Sequence, residues 1–209
     1  MEILDKIKEE GLIFDGGMGS MLIASGLKGG ESSEKWNVDH PDIIQAIHKA
    51  YFDAGADVAT INTFGASSFK LDRMGIKESA EMIIHAAIDN ARAAAGPGQY
   101  IAGELGPLGE MFLPMGKMTF EKAREIYVHQ AGIIEAEGVD LFLIQTVFDI
   151  QEALAALEAV QVVSNKPVIC SLTFNQTKRG FFTLVGNPVA ESMQKMRDSG
   201  ASAVGANCS

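Results

Sequence analysis

Two residues stand where chemistry can be done. Asp15 follows the apolar run Leu12-Ile13-Phe14 and precedes Gly16-Gly17, so a carboxylate closes the first candidate strand where the chain turns. A carboxylate so placed can hold a substrate ammonium; it can equally cap the helix or turn that follows, since Asp is favoured at both. Cys208 closes the last candidate strand in Gly205-Ala206-Asn207-Cys208. A thiolate there is available to a metal ion or as a nucleophile. A catalytic zinc site needs three protein ligands and an open position, and the chain has no Cys-x-x-Cys, His-Glu-x-x-His or Cys-Cys pair to complete one. Cys170 lies inside the apolar run Pro167-Val168-Ile169-Cys170 and is expected to be an inert core thiol.

The elements that position these residues announce themselves through a repeated junction. Asp53-Ala54-Gly55-Ala56-Asp57-Val58, Glu137-Gly138-Val139-Asp140-Leu141 and Asp198-Ser199-Gly200-Ala201-Ser202-Ala203 each run from a helix tail through a glycine into an apolar stretch. Glycine suits the left-handed residue that ends a helix, and such runs suit strands buried on both faces. Parallel strands joined by crossover helices follow. Strands are expected at residues 12–15, 57–63, 100–104, 140–146, 168–174 and 203–207. Between them, Ile43, Ile44, Ile47, Ala50 and Tyr51 recur at helical spacing after His40-Pro41-Asp42, and residues 80–95 and 120–137 favour helix. An open doubly wound sheet and a closed (β/α)8 barrel both accommodate this alternation. Polar residues at the C-terminal ends of the strands favour the barrel, whose active sites lie on that rim: Asp15, Asn62-Thr63, Glu104, Gln145-Thr146, Thr173 with Asn175, and Asn207-Cys208. Gly17-Met18-Gly19-Ser20-Met21-Leu22 opens like a dinucleotide fingerprint, but Leu22 stands where the third glycine belongs, and no Lys-Ser/Thr follows.

Composition bounds the partners. With 17 basic against 27 acidic side chains, a net charge of −10 and 47% hydrophobic residues, the 209-residue chain is expected to form one soluble domain over residues 1–209. The acidic balance and lack of a Lys/Arg cluster argue against nucleic acid, and no apolar run is long enough for a membrane span. Two cysteines and a charged amphipathic start point to the cytoplasm. His48, His85 and His129 fall in helical patterns, which a barrel places on its outer ring, and His40 precedes a proline; all four are expected to be structural. Met111, Met115 and Met118 cluster in one loop, either as a flexible cap over a bulky ligand or as ordinary packing.

Taken in order, Asp15-Gly16-Gly17-Met18-Gly19, Asn62-Thr63-Phe64-Gly65-Ala66, Gly103-Glu104-Leu105-Gly106-Pro107-Leu108-Gly109-Glu110 and Gly205-Ala206-Asn207-Cys208 resemble the homocysteine S-methyltransferase family. The likeness is strongest to the homocysteine-binding domain of its cobalamin-dependent members and runs from about Leu12 to Ser209. The resemblance implies a (β/α)8 TIM barrel. It also implies one zinc held by three cysteines, the first in a Gly-x-Asn-Cys segment that Cys208 matches and the other two in a later Gly-Gly-Cys-Cys segment. Zinc would then take the homocysteine sulfur as its fourth ligand and keep it a thiolate at neutral pH. The methyl donor implied is a methylcorrinoid or methyltetrahydrofolate presented by another domain or a corrinoid protein, an assignment that Trp36-Asn37 before Asp39-His40-Pro41 supports.

The chain departs from the family pattern twice. Its sequence ends at Ser209 with six expected strands and no Cys-Cys pair, so the barrel is expected to be C-terminally incomplete, with open edges that invite pairing with a second copy. At the end of the fourth strand the family has Glu-Thr, whose carboxylate joins the one matching Asp15 in holding the amino acid's ammonium; here Gln145-Thr146 stands instead. Gln keeps an acceptor oxygen but not the charge, which weakens the hold on homocysteine or points to a related thiol. Zinc-dependent methyl transfer to a thiol, with Asp15 and Gln145 binding the acceptor and Cys208 a metal ligand, is the leading expectation. The alternative is a non-catalytic barrel fragment or docking module for a corrinoid protein, without a complete zinc site.

Overall fold

The computed structural model describes residues 3–209. Helix α1 (Ile3–Glu9) leads into an extended segment, then α2 (Met18–Ala24), α3 (Trp36–Asp39) and α4 (Pro41–Asp53) precede β1 (Val58–Thr60). Helices α5 (Ser68–Arg73) and α6 (Ala80–Ala94) lead to β2 (Tyr100–Leu105), α7 (Phe120–Glu137) to β3 (Leu141–Val147), and α8 (Ile150–Val163) to β4 (Val168–Leu172). A hairpin of β5 (Asn175–Thr177) and β6 (Gly180–Phe182), then α9 (Val189–Asp198), precede β7 (Ala203–Ala206). The helices begin where side chains can cap them: Ser79, Thr119 and Asp149 accept backbone N–H groups at the starts of α6, α7 and α8. Gly138 ends α7 in the left-handed conformation, as the junction pattern requires.

The strands form one parallel sheet in the order β1-β2-β3-β4-β7, and the hairpin stands apart. Side chains alternate between its faces. Ile101, Leu105, Phe142, Ile144, Val168, Cys170 and Leu172 point outward into the core shared with α6, α7 and α8, whereas Ala102, Leu141, Leu143 and Ile169 point to the other face, with Leu12 and Phe14. Because parallel strands all end on one side, the inner-face residues last in β2 and β3, Glu104 and Gln145, meet there.

The sheet departs from the expected pattern in its first two segments. Residues 12–15 do not form a strand: they make one bridge, Phe14 to Val58, with Asp57 N–H and Val58 N–H donating to the Ile13 carbonyl and Asp15 N–H donating to that of Val58. Their pairing stops at Asp15 because the chain turns away at Gly16. The strand expected over 57–63 keeps only its first half. After Thr60 the backbone leaves the ladder, and the Asn62 side chain turns to donate to the Ser33 carbonyl at 2.7 Å. The five-stranded sheet remains open, and among the described residues no further strand pairs with the free edge of β7.

Candidate active site

At the C-terminal ends of the strands lies a cavity of about 520 Å³, and Asp15, Gln145 and Cys208, the three residues singled out from the sequence, all line it. Each reaches it by a different local device. Asp15 ends the extended segment, and its Oδ2 accepts the Thr60 N–H at 2.9 Å, taking the place that the next carbonyl of a strand would fill. The Asp15 side chain caps no helix; the N-cap of α2 is Gly17. Gly16 lets the turn pass close under Tyr51: a Cβ there would stand 2.7 Å from the ring, which would have to move aside. Burial raises the Asp15 carboxyl to about 6, against the lowering effect of the Thr60 amide.

Gln145 and Thr146 owe their placement to a bulge. Ile144 pairs with Cys170 and Val147 with Leu172, so β3 spends one residue more than β4 over this stretch. Thr146 is driven to a φ of 62°, unusual for a β-branched residue, and Asn207 holds it there. The Thr146 N–H donates to Asn207 Oδ1 at 3.0 Å, while Asn207 Nδ2 donates back to Thr146 Oγ1 at 2.7 Å. Ser171 Oγ also donates to Asn207 Oδ1, and Thr173 Oγ1 to the Asn207 carbonyl, so β3, β4 and the end of β7 are tied through one side chain. Cys208 follows at a φ of 51°, exposed, with Asn207 Nδ2 3.6 Å and Thr146 Oγ1 3.9 Å from its sulfur. Cys170 faces the outer core instead, its thiol pushed up to about 12 by burial, and does not join Cys208.

Three residues of the site had no role assigned from sequence. Glu104, 7% exposed, receives a short hydrogen bond from Gln145 Nε2. Burial raises its carboxyl to about 8, and the negative charges of Asp15 and Glu34 push in the same direction. The position of Glu104 at a strand end was visible, but its neighbour lies 41 residues away in sequence. Asn207 stands in the sequence as a strand-end polar residue of the rim, but its clasp on Thr146 joins positions 61 apart. His48, expected on the outer ring of helices, is fully buried, and its Nδ1 lies 3.8 Å from Asp15 Oδ2. That contact is no ion pair: burial lowers the imidazole to about 4 and keeps it neutral, and neither ring nitrogen has a hydrogen-bond partner. The loop methionines divide, with Met111 and Met115 exposed and Met118 buried.

Among the described residues no group of three or more His, Cys, Asp or Glu side chains is gathered as a metal site would need. Nor is any helix long and apolar enough to cross a membrane. What remains is a small-molecule cavity with two carboxyls inside and one thiol at the rim, built on the strand ends of a parallel α/β sheet. That is the architecture and the place at which α/β enzymes bind small substrates.

The homocysteine S-methyltransferase family model matches residues 12–209, and the chain belongs to that family. It is 26% identical to the methionine synthase of Mycobacterium tuberculosis over 227 aligned positions, which take in 99% of this chain but 18% of that protein; the chain thus spans less than a fifth of that relative's length. Among solved structures, it is similar to the metallated form of the Escherichia coli homocysteine methyltransferase MmuM, with a TM-score of 0.84 at 20% identity, covering 100% of this chain and 78% of that one. The apo form of the same protein superposes with a TM-score of 0.76 at 22% identity, over 99% and 74% of the two chains. These structural likenesses bear on the fold.

Proposed function

We propose that this chain is the acceptor-binding part of a methyltransferase that moves a methyl group onto the thiol of homocysteine. The observation that carries the reading is the convergence of Asp15, Glu104, Gln145 and Cys208 on one cavity in a chain that the family model matches from residue 12 to residue 209. The fold is then read as a (β/α)8 barrel of which these residues form the greater part, a reading supported by the 78% of the MmuM chain that they cover. The non-catalytic docking module is the less favoured reading, since it leaves the buried carboxyls of the cavity without a purpose.

The chemistry asks for little acid or base. The homocysteine sulfur, as thiolate, attacks the methyl carbon in line; the sulfur–carbon bond forms as the bond from carbon to donor breaks, and the bonding pair leaves with the donor. The protein's task is to fix the acceptor in line with that carbon. Asp15 pairs with the substrate ammonium from inside the cavity, and the side chain of the amino acid extends toward Cys208 at the rim. The curled backbone at Thr146 and Cys208, clasped by Asn207, sets the spacing between the two. The donor is read as a methylcorrinoid or methyltetrahydrofolate brought by a separate domain or protein, a reading supported by the similarity to a methionine synthase.

Zinc is the metal the family implies, and it would stabilise the thiolate. The described residues do not fit it by themselves, because Cys208 is one donor and no second or third stands with it. Cys208 is proposed as one ligand of a site whose other donors lie outside these residues, and no step above runs through the metal.

Equilibrium dialysis against radiolabelled homocysteine tests the proposal. Saturable binding of one molecule per chain, displaced by methionine and weakened at least about tenfold by Asp15→Asn, is expected. The absence of saturable binding by the parent chain overturns it.

A further inference from the structure

Resting on the acceptor site just described, we infer that Glu104, and not Gln145, supplies the second negative charge that holds the acceptor's ammonium group beside Asp15. Gln145 is not free for that task, because both ends of its carboxamide are already engaged. Its Nε2 donates to Glu104 Oε1, and its Oε1 accepts from Asn207 Nδ2 at 3.3 Å. Turning the amide over would set its nitrogen against Asn207 Nδ2, whose own orientation is fixed by the Thr146 N–H donating to Asn207 Oδ1, so the amide is held by its neighbours.

Glu104 stands where a charge lost at position 145 can be restored. Glu104 and Leu143 are register partners on β2 and β3, and Gln145 is the next residue on the same face. A side chain at 104 therefore reaches the point a side chain at 145 reaches, from one strand over, about 5 Å away. Glu104 and Asp15 share the cavity wall, and the side chains of both are buried. Two carboxyls facing one small cavity, with Glu34 adding a negative field behind them, do not both ionise while it is empty; an ammonium entering between them displaces the Glu104 proton and pairs with the carboxylate so formed. Among the side-chain hydrogen bonds of the described residues, the Glu104 carboxyl receives the neutral Gln145 amide, and Lys70, whose charge feels that of Glu104, is committed elsewhere: its Nζ donates to the Pro107 carbonyl at 3.1 Å. An ammonium entering the cavity gains two charge-assisted contacts, and the Gln145 amide holds Glu104 in place to receive it.

The experiment is calorimetric titration of the whole chain and three variants, Glu104→Gln, Gln145→Glu and the double exchange, with homocysteine and with 4-mercaptobutanoate, which lacks only the amino group. Glu104→Gln is expected to weaken homocysteine about 10- to 100-fold and to leave 4-mercaptobutanoate within about twofold. The double exchange, which moves the carboxylate across to β3, is expected to recover most of the loss and serves as the control for folding. Unchanged homocysteine affinity in Glu104→Gln overturns the inference, as does an equal loss for both ligands or a double exchange no better than the single one. If the parent binds homocysteine normally while these variants contradict the role of Glu104, the acceptor reading stands and only this assignment falls. If the parent binds neither ligand, both fall.

Discussion

A carboxyl kept largely protonated at neutral pH leaves a mark on stability. Glu104 has its value raised from 4.5 to about 8, so the folded chain holds this proton more tightly than the unfolded one. The stabilisation is full below about pH 4.5 and is lost as pH rises through about 8. Glu104→Gln carries no such proton, and in urea unfolding it should exceed the parent by about 2 kcal/mol at pH 9, with the gap closing by pH 5. A difference that does not change with pH contradicts the assigned protonation. Asn207 makes a second prediction at this scale. Asn207→Ala removes the clasp that keeps Thr146 at a φ of 62° and leaves its N–H without the Oδ1 acceptor, so a loss of about 2–3 kcal/mol is expected in the same assay. A loss below about 0.5 kcal/mol would show that the curled backbone stands without it. Asp15, Gln145 and Cys208 were legible in the sequence because each closes an apolar run, a local signal. The pairing of Glu104 with Gln145 and the burial of His48 behind Asp15 were not, because both arise from segments more than thirty positions apart in the chain.

The elements hold these residues through close approaches that depend on small side chains. Where β2 ends, Gly106 lies so near the preceding loop that a Cβ would stand 2.4 Å from the Phe64 carbonyl oxygen, a backbone atom that cannot swing aside. The same stretch is pinned from behind, with the Leu108 N–H and the Tyr127 hydroxyl both donating to Glu152 Oε1, at 2.7 and 3.0 Å. Gly106→Ala should therefore displace the loop that follows Glu104, costing about 2–4 kcal/mol in urea unfolding. A variant as stable as the parent would mean that this approach is looser than described. The three glycine junctions showed where β1, β3 and β7 begin, because glycine and an apolar run lie within a few residues of each other. The hairpin of β5 and β6 carries no such signal. Its residues are mostly exposed and polar, and its end is fixed by a bridge from Phe182 to Pro188, which no periodicity announces. The apolar run at 12–15 marks an extended segment, yet it leaves β1 after a single bridge where the chain turns at Gly16.

For the whole molecule, the parallel sheet and its crossover helices were legible in the alternation of patterns, whereas closure into a barrel depends on how far the sheet curls, which pattern does not record. Metal content follows from the donor set. Elemental analysis after dialysis should find well under one zinc per chain, since Cys208 stands without companion donors among the described residues. One zinc per chain, abolished by Cys208→Ala, would contradict that and place further ligands within this polypeptide. The central claim is that the cavity at the strand ends binds the acceptor amino acid. It is tested most directly by titrating the isotope-labelled protein with homocysteine and following its backbone and side-chain amide resonances. Saturable shifts confined to the amides of Thr60, Thr146 and Asn207 and the side chain of Gln145 are predicted; saturation without shifts there, or no shifts at all, would contradict it.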